Sequence, residues 1–185
     1  MGSQEGGRLG PYVHVVDPWN VHLFSELGAF AKRSIYAQAQ AQASPFQFGK
    51  FMDPETFVIA LQALFADTPD RVRVLRVIGN LKEEKVNTSQ DDGTTQTVIA
   101  RAGIVSVAEA QVPNPVVLAP YRTFREVEPL PSPFILRVKG GIDEDSLPSC
   151  ALFEADGGEW MLEAIRRVAK WLEDCPLPEG KVLIA

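Results

Sequence analysis

The end of the chain constrains its fold more than any other stretch. Cys150 to Phe153 (CALF) is a short apolar run, Gly157-Gly158 is a turn, and Glu159 to Cys175 carries Met161, Ala164, Ile165, Val168 and Leu172 on one side of a helix that Pro176 stops. Lys181 to Ala185 (KVLIA) then returns as a strand. Strand, helix and strand in this order predict a βαβ unit, with Cys150–Phe153 and Val182–Ala185 parallel in one sheet and a right-handed crossover.

Upstream the patterns change. Tyr12 to Val16 and Val21 to Leu23 are β-branched and aromatic on either side of Asp17-Pro18-Trp19-Asn20, which predicts a hairpin with a four-residue turn. If Val16 pairs with Val21, the two histidines, His14 and His22, fall on opposite faces. From Ile35 to Ala43 (IYAQAQAQA) alanine and glutamine alternate, and a strand turns that alternation into one small smooth face and one amide face. Such a strand suits either subunit packing or a sheet edge lying under a helix.

Asp53-Pro54-Glu55 is a helix start, with a cap, a proline at the first helical position and an early carboxylate, followed by Phe57, Leu61, Leu64 and Phe65 at helical spacing. Thr68-Pro69-Asp70 repeats the signal ahead of a second helix with Val72, Leu75, Ile78 and Leu81 on its apolar stripe and Gly79-Asn80 near its end. Two such helices predict an αα-hairpin packed on a sheet. KVNTSQ and TTQTVIARA flank Asp91-Asp92-Gly93 and read as a polar hairpin. Prolines from Pro113 to Pro133 break the next region into short strands and loops, with FILRV at 134 to 138 as the clearest core strand and 140 to 149 as a loop. The sum is α+β: a mixed β-sheet with antiparallel hairpins, an αα-hairpin and the C-terminal βαβ unit. Residues 1–10 (MGSQEGGRLG) read as a disordered leader or an added scar, and 11–185 as a single domain.

Composition narrows the chemistry. With 18 basic and 24 acidic residues the formal charge is −6, which argues against affinity from broad contact with nucleic-acid phosphates. Cys150 and Cys175 stand far apart and form no CxxC, so two buried thiols in a reducing compartment are expected. No apolar run approaches the roughly 18 residues of a membrane helix, and no membrane partner is expected. Two cysteines and two histidines, all distant in sequence, do not suit a four-ligand zinc site.

Magnesium is the one metal the acidic turns suggest. Asp91 and Asp92 in the hairpin turn and Glu154 and Asp156 at the strand–helix turn are candidate ligands if they converge. Taken singly, Asp91-Asp92-Gly93 is an ordinary turn and Asp156 an N-cap. Gly157-Gly158 matches neither GxGxxG nor GxxxxGK[ST], and its carboxylate neighbours oppose a phosphate. No nucleophile motif is present, so no catalytic residue is assigned. Arg73, Arg76, Lys82 and Lys85 form a candidate anion or nucleic-acid surface, alternatively a solvated helix face.

The segments FMDPETFVIALQALF (51 to 65), IGN (78 to 80), QDDGTTQ (90 to 96), VPNPVVLAPYRTFREVE (112 to 128) and ALFEADGGEW (151 to 160) together resemble a family of tailed-phage and prophage proteins of unknown function. The resemblance implies a protein acting in the cytoplasm of an infected bacterium, and carries no activity, cofactor or site residue with it. It also implies a parent with a further N-terminal segment that this chain lacks. Three functions are weighed: a non-enzymatic protein that self-associates and binds a macromolecular partner, a nucleic-acid-handling protein that binds or cleaves with magnesium, and a small-ligand sequestering protein that counters host defence. The first accounts best for the Ala/Gln strand, the polar hairpin and the lack of a catalytic signature.

Overall fold

The computed structural model describes residues 10–42, 46–81, 85–91, 96–102, 105–112, 114–140, 148–175 and 182–185. The chain packs as two compact units, each drawn from separated stretches: Met1–Ala43, Thr123–Glu128 and Glu159–Ala185 in the first, Ser44–Arg122 and Pro129–Gly158 in the second. Helices and strands segregate rather than alternate, and the sheets include one mixed and two antiparallel, so the fold is α+β. Of the predicted leader, only Gly10 falls among the described residues.

The first unit is built on a four-stranded sheet. Strands β1 (Tyr12–Asp17), β2 (Asn20–Phe24) and β3 (Ile35–Gln40) run antiparallel, and the closing strand β10 (Val182–Ile184) joins the far side of β1 in parallel. The order is therefore β10-β1-β2-β3. The turn between β1 and β2 is tighter than predicted. Asp17 accepts the Trp19 backbone N–H at 2.7 Å and the Asn20 side-chain amide at 2.9 and 3.0 Å, so Asp17 and Asn20 pair with only Pro18-Trp19 between them. The register shifts between Val15 and Asp17, a bulge at Val16, and that extra residue reverses the predicted facing. His14 pairs directly with His22, and both histidines lie on one face, against Phe24.

Val13 and Val15 point to the other face, which helix α3 (Glu159–Asp174) covers along β1 and β10. Val15, Val127, Val168 and Ala169 form the buried core there, with Val21, Phe124, Ile165, Leu172 and Leu183 around it. The inward side of α3 is Trp160, Ala164, Val168 and Ala169; Met161, predicted to face inward, is exposed. Trp160 meets Trp19 edge-on at 5.8 Å, which ties the start of the helix to the β1–β2 turn.

The second unit carries the predicted αα-hairpin. Helix α1 (Pro54–Leu64) is capped by Asp53, whose carboxylate accepts the Thr56 N–H at 2.9 Å. Helix α2 (Pro69–Leu81) opens on Thr68, whose hydroxyl accepts the Arg71 N–H at 3.1 Å. Among its described side chains Val74 and Ile78 are buried, while Val72 faces solvent. Both helices pack on the inner face of an antiparallel sheet of β7 (Val116–Leu118), β8 (Ser132–Lys139) and β9 (Ser149–Glu154), in that order. On β8 the buried residues Phe134, Leu136 and Val138 alternate with half-buried ones, the period-two pattern that FILRV predicts. Phe46, Phe57, Phe65 and Phe134 fill the space between layers with mostly edge-on ring contacts. The polar hairpin forms as β4 (Lys85–Asp91) and β5 (Gln96–Ala102), and β6 (Val105–Val112) extends it to three antiparallel strands.

The predicted pairing of the C-terminal strand also requires correction. The order strand, helix, strand at the chain end holds, and β10 is parallel to a neighbour, but that neighbour is β1 and not β9. The reason lies in β9 itself. Its free edge is occupied by the segment before α1: Met52 and Cys150 exchange backbone hydrogen bonds at 3.0 and 2.8 Å, and the Gly49 N–H reaches Leu152 O at 2.7 Å. With that edge filled, β10 pairs where β1 offers an open one.

Candidate functional site

Of the acidic turn candidates Glu154 and Asp156 are brought together, by a cation of the chain's own. Arg122 is buried, and its guanidinium donates to Glu154 at 2.7 Å and to the Ser132 hydroxyl, lies 3.9 Å from the Asp156 carboxylate, and rests 5.6 Å from the centre of the Phe134 ring. Burial pulls its pKa down to about 10, against the opposing pull of Glu154 and Asp156. Asp156 does not cap α3 as predicted: its carboxylate accepts the Gly158 N–H at 3.0 Å, two residues on, closing the turn ahead of the helix. Glu154 and Asp156 thus serve an internal ion cluster.

Asp91 ends β4 opposite Gln96, and Asp92 lies outside the described residues. Among the described residues no group of three or more His, Cys, Asp or Glu side chains could hold a metal ion. Of the basic candidates, Arg73 and Arg76 are exposed on α2, and Arg73 is engaged by Asp70 at 3.1 Å. Lys85 begins β4 opposite Arg101, and Lys82 lies outside the described residues. Cys150 is fully buried, and Cys175 is half-buried rather than buried as expected. No described helix is long and apolar enough to cross a membrane.

The surface that distinguishes the first unit is β3. It forms the outer edge of the sheet, and all six of its residues are exposed, so no helix lies over it among the described residues. Its pairing with β2 sets Ala37 opposite Leu23 and Ala39 opposite Val21 on the face that α3 shares, and Gln38 opposite His22 on the other. The Ala41 N–H bonds back to Trp19 O at 2.8 Å. By the alternation of strand amides, the N–H groups of Gln38 and Gln40 therefore point away from β2, toward the open edge. Nothing from Ile35 to Ala43 is charged and no proline interrupts it, so charge and proline do not blunt this edge, although the β2–β3 register shifts between Leu23 and Phe24.

Beside this edge is an apolar groove enclosing about 200 Å³, walled by Val21, Ala39, Phe124, Val127, Trp171 and Leu172, with Glu126 as its charged member. Across the other end of the β2–β3 connection, Ser25 and Ser34 tie the loop's neck through Ser25 N–H to Ser34 O at 2.8 Å and Ser34 N–H to the Ser25 hydroxyl at 2.9 Å. Arg33 reinforces the neck by donating to Ser25 O and to Gly10 O and by stacking 4.8 Å from the Tyr12 ring centre. At the tip Phe30 and Ala31 hold positive φ, 61° and 54°, and Phe30 is 93% exposed. No glycine flags the left-handed positions of Phe30 and Ala31, and the carboxylate partners of Arg122 lie more than thirty residues away in sequence. No family model, curated protein or solved structure matches the chain.

Proposed function

We propose that this chain is a non-enzymatic assembly protein that self-associates by pairing β3 with β3 of a second copy, and that the resulting assembly binds a macromolecular partner in the cytoplasm of a phage-infected bacterium. The observation that carries the reading is the β3 edge, uncharged, free of proline and exposed along its whole length. Antiparallel pairing about a two-fold centred on Gln38 sets Ala37 of one copy opposite Ala39 of the other, Gln38 opposite Gln38 and Gln40 opposite Tyr36, and satisfies the outward amides of Gln38 and Gln40. Two four-stranded sheets then become one continuous sheet, and neither copy keeps an open β3 edge.

Mass photometry and sedimentation velocity test this directly. A concentration-dependent dimer is expected for the natural chain, and Gln38→Pro, which removes an outward N–H without touching the β2 ladder, should shift it to monomer while leaving the far-ultraviolet circular dichroism unchanged. A chain that stays monomeric at 100 μM or above, on the order of weak protein dimers, overturns the reading.

A further inference from the structure

We infer that His14 and His22 form a two-imidazole site for a borderline divalent metal ion, Zn²⁺ or its neighbours Ni²⁺ and Cu²⁺, on the sheet face opposite α3. The inference stands apart from β3 pairing and does not depend on it. These are the chain's only two histidines. The pairing expected from sequence, Val16 with Val21, would split them between the two faces of the sheet. The bulge at Val16 instead sets them directly opposite each other in the β1–β2 ladder, on one face.

Spacing and chemistry select the same ligand. Residues directly opposite in an antiparallel pair carry their Cβ atoms about 4.5 to 5.5 Å apart. A tetrahedral ion with bonds of about 2.0 to 2.1 Å to imidazole nitrogen needs its two nitrogens roughly 3.3 Å apart, and two imidazoles on such a pair close that gap by turning about their own side-chain torsions. Both rings lean the same way along the strands, for both reach the one Phe24 ring, His14 at 6.4 Å and His22 at 5.9 Å between centres. Phe24 in turn stacks on Tyr12 at 5.0 Å, which makes one end of the pair an aromatic wall. Both histidines are half-buried, open enough to turn and to admit an ion. The row in which they stand is neutral: Ile184 of β10 lies opposite His14, and Gln38 of β3 lies opposite His22. That row therefore offers no carboxylate to a hard ion such as Mg²⁺, whereas neutral imidazole suits the borderline first-row ions. With two ligands from the protein, the ion keeps its other positions for water and cross-links β1 to β2.

With two histidines in the chain, proton NMR of the imidazole signals reads the site directly. The titrations are made on the full chain at about pH 7.5, where free imidazole is mostly neutral and able to ligate. Cu²⁺ added below one equivalent is expected to broaden the ring signals of His14 and His22 together, and EDTA to restore them. Calorimetric titration with ZnCl₂ should show binding that His14→Ala and His22→Ala each weaken about tenfold or more, since either leaves one imidazole where two had chelated. MgCl₂ should leave the histidine signals unchanged. Copper that broadens one histidine and spares the other, or spares both, overturns the paired site. So does a zinc affinity that stays within about twofold of the natural chain in either variant, because a lone imidazole does not match a chelating pair. Should a variant lose its natural far-ultraviolet circular dichroism, the copper experiment on the natural chain decides alone.

Discussion

The Arg122 guanidinium and the Glu154 carboxylate meet at 2.7 Å although they are 32 residues apart, and Arg122 is almost wholly buried while Glu154 is partly exposed. This asymmetry sets the cost of removing each partner. Arg122→Ala leaves the buried Asp156 carboxylate without its neighbouring cation and the Ser132 hydroxyl without the guanidinium donor it accepts from, and is expected to destabilise the chain by about 3 to 5 kcal/mol. Glu154→Gln, at a site screened by water, should cost at most about 1 kcal/mol. Urea unfolding of the two variants checks the ranking, and near-equal small losses would show that the cluster does not anchor its turn.

The cap of α1 gives a prediction with a pH dependence. Hydrogen bonds from the Thr56 side chain and its backbone N–H hold the Asp53 carboxyl below its ordinary pKa. A carboxyl depressed in the folded state adds stability above its unfolded pKa, and that stability is lost as pH falls through the folded value. Asp53→Ala should therefore cost about 1 kcal/mol at pH 7, and the gap from the natural chain should narrow below about pH 4. Denaturant midpoints measured from pH 7 to pH 3 decide it, and a gap that widens with acid contradicts the assignment.

How far the sequence reveals this fold depends on the distance over which each feature is determined. The α1 cap, the α2 start and the alternation of β8 all depend on neighbours within one or two turns, and each is legible from residue type alone. The facing of His14 and His22 is not, because a single bulge at Val16, created by Asp17 closing a tighter turn, inverts the face of every residue beyond it. Nor is the partner of β10 legible, since that depends on whether the edge of β9 is free, and the Gly49–Met52 segment fills it from about a hundred residues upstream. The candidate association edge is legible as a strand from its Ala/Gln period. That α3 stops short of it emerges only once α3 is seen to centre on β1 and β10.

The two thiols should react very differently. Burial, with a smaller contribution from the Asp53 charge, pushes the Cys150 thiol up to about 12. A pKa raised that far keeps the thiol protonated throughout the range in which the protein is handled, and protonated thiols are poor nucleophiles. Cys175 is half-buried at the end of α3 and reachable. At pH 8 a thiol-titrating disulfide reagent should therefore count one reactive group per chain in the native state and two in 6 M guanidinium, a concentration on the order of that which unfolds ordinary domains. Two groups titrating at similar rates without denaturant would mean that the sheet edge around Cys150 opens readily.

The turn before α3 isolates a purely backbone effect. Gly157 has φ +62°, and a Cβ added there meets no atom within 4 Å, so substitution is opposed by conformation and not by crowding. Alanine at this position is expected to cost about 1 kcal/mol, the usual penalty for an L-residue in the left-handed region, whereas asparagine, which tolerates that region, should cost clearly less. Valine, stiff at its first side-chain torsion, should cost more than alanine. The order Gly, Asn, Ala, Val in urea midpoint is the expected result. Should alanine prove neutral, the turn closed by Asp156 onto the Gly158 N–H would have to re-form in a right-handed conformation, and the position of Asp156 beside Arg122 would change with it.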